Sequence, residues 1–158
     1  TVPRPILKKI NIVNVIKKSL DFIKMTSKSS INLITKDKEI FINGDEDQLN
    51  RVFINLIKNS QEAIDEISKK DTKFKGNIDI EIDNNNDYIV CRLTDNGSGI
   101  SDPKKAMTPY FTTKKTGTGL GLPIVTKIIN EHLGDFSIRN KKKGKGTLIS
   151  ISLPKLNA

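Results

Sequence analysis

Apolar side chains recur along this chain with two different periods, which divide it into helices and strands. Between residues 46 and 67, apolar residues lie three and four positions apart, which predicts an amphipathic helix with one buried face. The same spacing predicts a helix over residues 15–26, capped by Asn14, and another from residue 122 to about 133. The buried face of the longest predicted helix comprises Leu49, Val52, Phe53, Leu56, Ala63, Ile64 and Ile67.

Alternating apolar and polar residues predict strands in much of the remaining sequence. Residues 78–82 and 88–93 alternate on either side of an Asn-rich turn, which is typical of a β-hairpin. Four further short strands are predicted, at residues 31–35, 39–42, 135–139 and 147–153. We expect the charged turn 36–38 to join the first two of these strands and the Lys-rich turn 141–146 to join the last two.

The length of 158 residues indicates one domain with a single hydrophobic core. Because the chain begins at Thr1 and not at Met, we expect it to be a piece of a longer protein. No stretch approaches the roughly 20 apolar residues of a membrane span, so any anchor in the inner membrane would lie outside this chain. A lone cysteine, Cys91, cannot pair within the chain, which favours a reducing, cytoplasmic location and a core role for the thiol.

The formal net charge of +9 raises nucleic-acid binding as a function class. The lysines are scattered singly and in pairs, except for those around Gly144. With no Trp and two Tyr, the chain offers little aromatic surface on which bases could stack. We therefore expect no nucleic-acid partner, and assign the local positive charge to a triphosphate ligand.

Candidate chemistry is concentrated where the second hairpin strand ends, at Asp95-Asn96-Gly97-Ser98-Gly99-Ile100. The glycines allow the backbone to approach a ligand closely and to adopt positive φ without steric cost. The carboxylate of Asp95 could accept a hydrogen bond from the exocyclic amine of adenine. Guanine presents a carbonyl oxygen at that position and would leave a buried carboxylate unpaired.

Two further features fit the same ligand. Asn55, Asn59 and Glu62 form a polar stripe on the longest helix, although Asn is unfavourable inside helices, and the amide oxygen of Asn59 could bind Mg²⁺. Gly117-x-Gly119-x-Gly121 leads directly into a helix, whose free N–H groups would favour an anion. The stretch 103–118 has no apolar period and many Thr and Lys residues, so we expect a lid that closes over phosphates.

These motifs, in this order, resemble the sequence boxes of sensor histidine kinases. The resemblance comprises the N box at 55–63, the first glycine box at 95–100, the F box at 109–114, the second glycine box at 117–122 and the closing Gly146-Thr147 element. The Pro-Tyr-Phe-Thr-Thr run is most similar to that of nitrogen-regulation (NtrY-like) kinases. Met107 and Leu133 depart from the family pattern, in which Phe and Gly are common at these positions.

The resemblance implies the ATP-binding catalytic domain of the GHKL superfamily. Its fold is an α+β, two-layer sandwich of the Bergerat type, with a mixed, mostly antiparallel sheet and three main helices on one face. Residues 11–158 would form this domain, after a linker over residues 1–10 from an upstream dimerisation and phosphoacceptor region. The domain would bind Mg-ATP and pass the γ-phosphate to a histidine of that region, which would then phosphorylate a response regulator receiver domain.

Site residues follow from the resemblance by position. The metal ligand would be Asn59, and catalysis would depend on Asn55, Asn59 and Lys114. Nucleotide contacts are implied for Asn55, Asn59, Asp95, Gly97, Gly99, Ile100, Thr113, Lys114, Gly117, Thr118, Gly119, Leu120, Gly121, Leu122 and Thr147. We expect His132 to be structural, so the phosphoacceptor histidine is absent from this chain. The chain by itself is expected to be monomeric, and the full-length kinase a homodimer.

The main alternative is a hydrolysing ATPase of the gyrase, Hsp90 or MutL kind. Those relatives carry a glutamate general base one helical turn before the Mg²⁺ asparagine, where this chain has Asn55. An amide cannot take a proton from water, so this position favours a kinase over a hydrolase.

Overall fold

The computed structural model describes residues 2–100 and 121–156. The predicted lid at 103–118 lies outside the described residues, as do Thr113, Lys114, Gly117, Thr118, Gly119 and Leu120. The described elements are β1 (Lys8–Asn11), α1 (Ile12–Lys24), β2 (Ser30–Thr35), β3 (Phe41–Gly44), α2 (Glu46–Ser68), β4 (Asn77–Asn84), β5 (Tyr88–Asp95), α3 (Gly121–Glu131), β6 (Asp135–Asn140) and β7 (Thr147–Pro154). Across these two ranges, no helix has the length and apolar character needed to cross a membrane.

Five strands form the central sheet in the order β2-β4-β5-β7-β6. Only β2 and β4 pair in parallel, and the other neighbours are antiparallel. One face of the sheet is apolar and buried, through Ile78, Ile80, Ile82, Ile89, Cys91, Leu93, Ile149, Ile151 and Leu153. The α+β class with three helices and a mixed sheet is therefore confirmed. Burial raises the pKa of the Cys91 thiol to about 12, which agrees with its predicted place in the core.

The strand predicted at 39–42 is wrong in its bounds. It runs from Phe41 to Gly44 and pairs antiparallel with β1 in a separate two-stranded sheet. β1 itself occupies part of the stretch that the sequence assigned to a linker. Alternation identifies a strand but not its partner, because pairing depends on which surfaces meet in the folded chain.

Helix α1 begins three residues earlier than predicted and is capped by Asn11 instead of Asn14. The Asn11 side-chain oxygen accepts hydrogen bonds from the N–H groups of Val13 and Ile40, both at 3.1 Å. Ile12 and Val13 are fully buried, so this start brings both into the core. The cap is thus selected by a contact with a distant loop and by burial, neither of which is visible locally.

The predicted helix over 46–67 is confirmed as α2 and is capped by Asp45, whose Oδ1 accepts from the N–H of Gln48 at 3.1 Å. The Asp45 N–H donates to Nε2 of His132 at 2.9 Å, and Nδ1–H of His132 donates to the carbonyl of Ile128 at 2.8 Å. His132 is buried and joins the end of α3 to the start of α2. This bonding agrees with the predicted structural role of His132.

Acid should weaken the domain partly through Asp45. Partial burial raises the pKa of this carboxyl, but hydrogen bonds from the N–H groups of Ile6 and Gln48 outweigh it and hold the pKa below its ordinary value. The resulting stabilisation is fully present above about pH 4, the usual aspartate pKa, and is lost as pH falls through the lower folded pKa. Asp45→Asn keeps a capping oxygen but does not titrate. Urea unfolding between about pH 5 and pH 3 should therefore show a smaller loss of stability for the variant; equal losses would contradict this account.

Candidate functional site

Asp95 ends strand β5 with its carboxylate almost completely buried, at 3% exposure. Its Oδ2 accepts a hydrogen bond from the Thr147 hydroxyl at 2.6 Å. Its Oδ1 accepts from the N–H groups of Gly97 at 2.9 Å and Thr147 at 3.3 Å. A buried carboxylate is costly unless several donors satisfy it. Here, these donors hold the Asp95 side chain in one orientation at the end of β5.

The middle of the loop that follows Asp95 is packed against helix α2. A Cβ on Gly97 would lie 2.7 Å from the carbonyl carbon of Ala63, so no larger residue fits there without movement of the backbone. The N–H of Ser98 donates to the carbonyl of Ala63 at 3.1 Å, and its hydroxyl donates to Glu66 at 2.8 Å. The glycine at position 97 is therefore required by a close approach of two backbones.

Asn96 fixes the start of the same loop to Asn77, the first residue of β4, and to Lys75, which precedes the strand. Its Oδ1 accepts from the N–H of Asn77 at 2.7 Å, and its Nδ2 donates to the carbonyl of Lys75 at 2.9 Å. The sequence reasoning did not assign this role to Asn96. The preference of Asn for local backbone hydrogen bonds was a signal for such a role, but it does not identify the partner.

The far end of the loop meets the turn between β6 and β7. Gly99 adopts φ = +83° and Gly146 φ = +121°, which is the region that favours glycine. A Cβ on Gly146 would lie 1.9 Å from the carbonyl oxygen of Asp95. Asn140 hydrogen-bonds both the N–H and the carbonyl of Ile100, at 2.8 and 2.7 Å. Asn140 belongs to none of the predicted motifs, and no local pattern distinguishes it.

Asn59 lies beside the first residue of helix α3. A Cβ on Gly121 would be 3.4 Å from Nδ2 of Asn59, so the amide occupies the space next to this helix N-terminus. Ala63, which contacts Gly97, lies four residues further along α2, or about 6 Å. One turn of α2 thus separates the Asp95 loop from the start of α3. Asn55 precedes Asn59 by one turn and, like it, is half-buried.

The described candidate residues thus meet along one edge of the domain. Asp95, Gly97, Gly99, Ile100 and Thr147 form one group, and Asn59 and Gly121 form the other. The side chain of Leu122 is buried in the core, so this residue can offer a ligand only its backbone. Within 2–100 and 121–156, no group of three or more His, Cys, Asp or Glu side chains is arranged to hold a metal ion.

This arrangement can hold a flat base at one end and an anion at the other. The buried carboxylate of Asp95 is an acceptor for an amine. The N-terminus of α3 lies at Gly121, and the N–H groups and positive dipole end of a helix N-terminus favour phosphate groups. The Asn59 amide lies beside this helix N-terminus. Its side-chain carbonyl is a neutral oxygen of the kind that Mg²⁺ accepts as a ligand.

Comparisons with known proteins agree with this geometry. Residues 44–157 match the family described as histidine kinase-, DNA gyrase B- and HSP90-like ATPase. Sporulation kinase C of Bacillus subtilis is 38% identical over 115 residues, which is 72% of this chain and 25% of that protein. The sensor histidine kinase ZraS of Salmonella typhimurium is 35% identical over 154 residues, or 94% of this chain and 31% of that protein.

The nitrogen-regulation group is also represented among the relatives. A putative sensor histidine kinase NtrY-like of Rickettsia conorii is 38% identical over 109 residues, covering 68% of this chain and 17% of that protein. Among solved structures, the catalytic domain of histidine kinase ThkA has a TM-score of 0.80 at 26% identity, with 95% of this chain and 96% of that chain covered. The chain thus spans a third or less of these three full-length relatives and nearly all of the solved catalytic domain.

Proposed function

This chain belongs to the family of histidine kinase-, DNA gyrase B- and HSP90-like ATPases, and from that premise we propose that it binds Mg-ATP and transfers the γ-phosphate to a histidine. That histidine would lie on a separate dimerisation domain of the same sensor kinase and would then phosphorylate a response regulator. The observation that carries the proposal is the buried Asp95 carboxylate, which hydrogen bonds from Thr147 and Gly97 hold in one orientation. Sequence similarity to a sensor histidine kinase supports histidine as the acceptor of the γ-phosphate.

Adenine is the base that this site favours. The Asp95 carboxylate accepts, so it attracts the exocyclic amine of adenine and repels the carbonyl oxygen of guanine. Since Asp95 is 3% exposed, water cannot compensate for the wrong base. A mismatch of this kind costs on the order of 1–3 kcal/mol.

The triphosphate would extend from the base along α2 toward α3. The N–H groups at the start of α3 would bind phosphate oxygens, and the Asn59 oxygen would be the protein ligand to Mg²⁺. When bound, Mg²⁺ would neutralise charge that develops on the phosphates during transfer. Thr113, Lys114 and the glycines 117 and 119 are proposed phosphate contacts from their sequence positions alone.

The kinase reading depends on Asn55. Asn55 and Asn59 lie one turn apart on α2, so their side chains share a face of the helix and would both reach the same ligand. Asn55 can orient a phosphate or a water through hydrogen bonds, but it cannot deprotonate a water. The phosphate of bound ATP is therefore kept for the histidine acceptor instead of being lost to hydrolysis.

Asn55→Glu should shift the domain toward hydrolysis. A carboxylate at this position could take a proton from an attacking water, and general-base help is typically worth roughly 10²–10⁴-fold when the water is well placed. Because this gain also requires correct placement of the water, we expect a rise in phosphate release of only about tenfold at saturating ATP. Repulsion between the new charge and the phosphates should also weaken ATP binding. Asn55→Gln is the matched neutral control, and no increase for Asn55→Glu would refute the assignment of Asn55.

The surrounding organisation follows from the same proposal. Residues 11–158 would be the catalytic unit, and the residues before β1 would connect it to the dimerisation helices. The chain would be a monomer by itself and part of a homodimer in the full-length kinase. Its place would be the cytoplasm, with any anchor in the inner membrane elsewhere in the protein.

A transfer assay tests the proposal directly. The domain is mixed with the histidine-bearing segment of the same kinase and with ATP labelled at the γ-phosphate. We expect label on the segment, stable to alkali and labile to acid, as for phosphohistidine. The same segment with its histidine changed to alanine should remain unlabelled. Release of all label as inorganic phosphate would instead favour the hydrolysing alternative.

A further inference from the structure

Asn140 and Thr147 are partners across the pair of strands β6 and β7. The Thr147 hydroxyl donates to Asp95 at the start of the 95–100 loop. The Asn140 amide holds Ile100 at the end of the same loop, with Oδ1 accepting from the N–H and Nδ2 donating to the carbonyl. Two neighbouring side chains of one strand pair therefore hold both ends of the loop that surrounds the candidate base site.

The two-point contact of Asn140 resembles the pairing of one strand residue with another. A carboxamide has a donor and an acceptor side by side, so it can satisfy both backbone groups of one residue. The contact lies next to Gly99, where a Cβ would be 2.9 Å from Oδ1 of Asn140. Gly99 has positive φ, and glycine has wide conformational freedom. The hydrogen bonds between Asn140 and Ile100 therefore restrict the backbone at this end of the loop.

The other anchors of the loop lie toward its start and middle. Asn96 is bound to Asn77 at the start of β4, while Gly97 and Ser98 are packed on α2. Loss of these contacts would disturb the core or the sheet. Asn140 is different because its side chain is exposed and its contact is confined to the loop end. Its removal should change the loop without unfolding the domain.

We propose that Asn140 is a positioning residue for nucleotide binding, which fixes Gly99 and Ile100 relative to the Asp95 carboxylate. The inference rests on the proposed function, because it assigns the 95–100 loop to the adenine end of the site. With Asn140 present, the loop is ordered before the ligand arrives. Without it, binding must also order Gly99 and Ile100, and this lowers the observed affinity.

Asn140→Ala should therefore weaken ADP binding by about tenfold, which is the order expected when two exposed hydrogen bonds are lost. Asn140→Asp keeps the acceptor for the Ile100 N–H but places a second acceptor against the Ile100 carbonyl. It should weaken binding at neutral pH as well. The matched control is Asn32→Ala, since Asn32 is also exposed and hydrogen-bonded but lies on β2, at the opposite edge of the sheet.

The experiment is a calorimetric titration of the domain and its three variants with ADP, alongside their melting temperatures. We expect tenfold weaker binding for Asn140→Ala, clearly weaker binding for Asn140→Asp, and unchanged binding for Asn32→Ala. A purely structural role would lower the melting temperature of the Asn140 variants and leave ADP affinity unchanged well below melting, which would overturn the inference. Failure of the unmutated domain to bind ADP would instead refute the proposed function, so the two failures are distinguishable.

Discussion

Asn59→Ala is expected to reduce phosphoryl transfer to the histidine-bearing segment by about 10³-fold, since a single preorganised group at the reacting phosphate is commonly worth about 10²–10³-fold. The variant removes the only protein oxygen that we assign to Mg²⁺. Because Asn59 is half-buried and off the apolar stripe of α2, truncation opens no core cavity. Alanine also favours a helix more than asparagine does. The melting temperature should therefore change little, while labelled transfer should fall by about 10³-fold.

The chain offers a matched control on the same helix. Asn50 lies nine residues before Asn59, which places it on the opposite face of α2 at 100° per residue. It accepts a hydrogen bond from the buried hydroxyl of Ser19 at 2.6 Å, on the side facing α1. Asn50→Ala should therefore lower the melting temperature but keep the transfer rate. Unchanged transfer by Asn59→Ala, with Mg²⁺ and ATP saturating, would remove Asn59 from the metal site.

Asp95→Asn is expected to weaken ATP binding by about 10²-fold and to abolish the preference for ATP over GTP. The first value corresponds to roughly 2.7 kcal/mol, within the cost of an unpaired buried polar group. The substitution preserves the packing, because Oδ1 can still accept from Gly97 and Thr147 while the new Nδ2 donates to the Thr147 hydroxyl. The new amide would then present a donor to the amine of adenine. ATP binding should therefore weaken while the domain stays folded.

Calorimetry with ATP and with GTP separates these effects. The control is Asp83→Asn, which replaces another aspartate of the same sheet that forms an exposed ion pair with Arg92. Exposed pairs contribute little to stability, so this variant should bind ATP normally. Equal affinities of the unmutated domain for ATP and GTP would refute the role of Asp95 in base selection.

The local pattern was sufficient for the elements that carry the chemistry. Helix α2 was predictable because its apolar period continues for more than five turns, and Asp45 and Gly44 mark its start. The hairpin of β4 and β5 followed from strict alternation around an Asn-rich turn. Asp95 was a candidate because an acid and two glycines directly follow a strand. Each of these features is marked by a pattern of neighbouring residues, because local conformational preferences agree with the fold there.

Other features depended on contacts between distant parts of the chain. The cap of α1 moved to Asn11 because Ile40 supplies a second donor to its side chain and because Ile12 and Val13 gain burial. The strand β3 pairs with β1 and not with a strand of the central sheet, since pairing depends on which surfaces meet in the folded chain. Neither the position of this cap nor the pairing of β3 can be predicted from the spacing of apolar residues.

By itself, the sequence determined the helices and strands near the site, the order of the motifs and the residue types that suit an adenine nucleotide. Tertiary structure alone decided which contacts hold them in place: Asn96 with Asn77, Gly97 with Ala63, and Asn140 with Ile100. These contacts join residues up to 40 positions apart. The reason is physical. Periodicity records which face of a helix or strand is buried, whereas a hydrogen bond between distant backbones exists only after the core has brought them together.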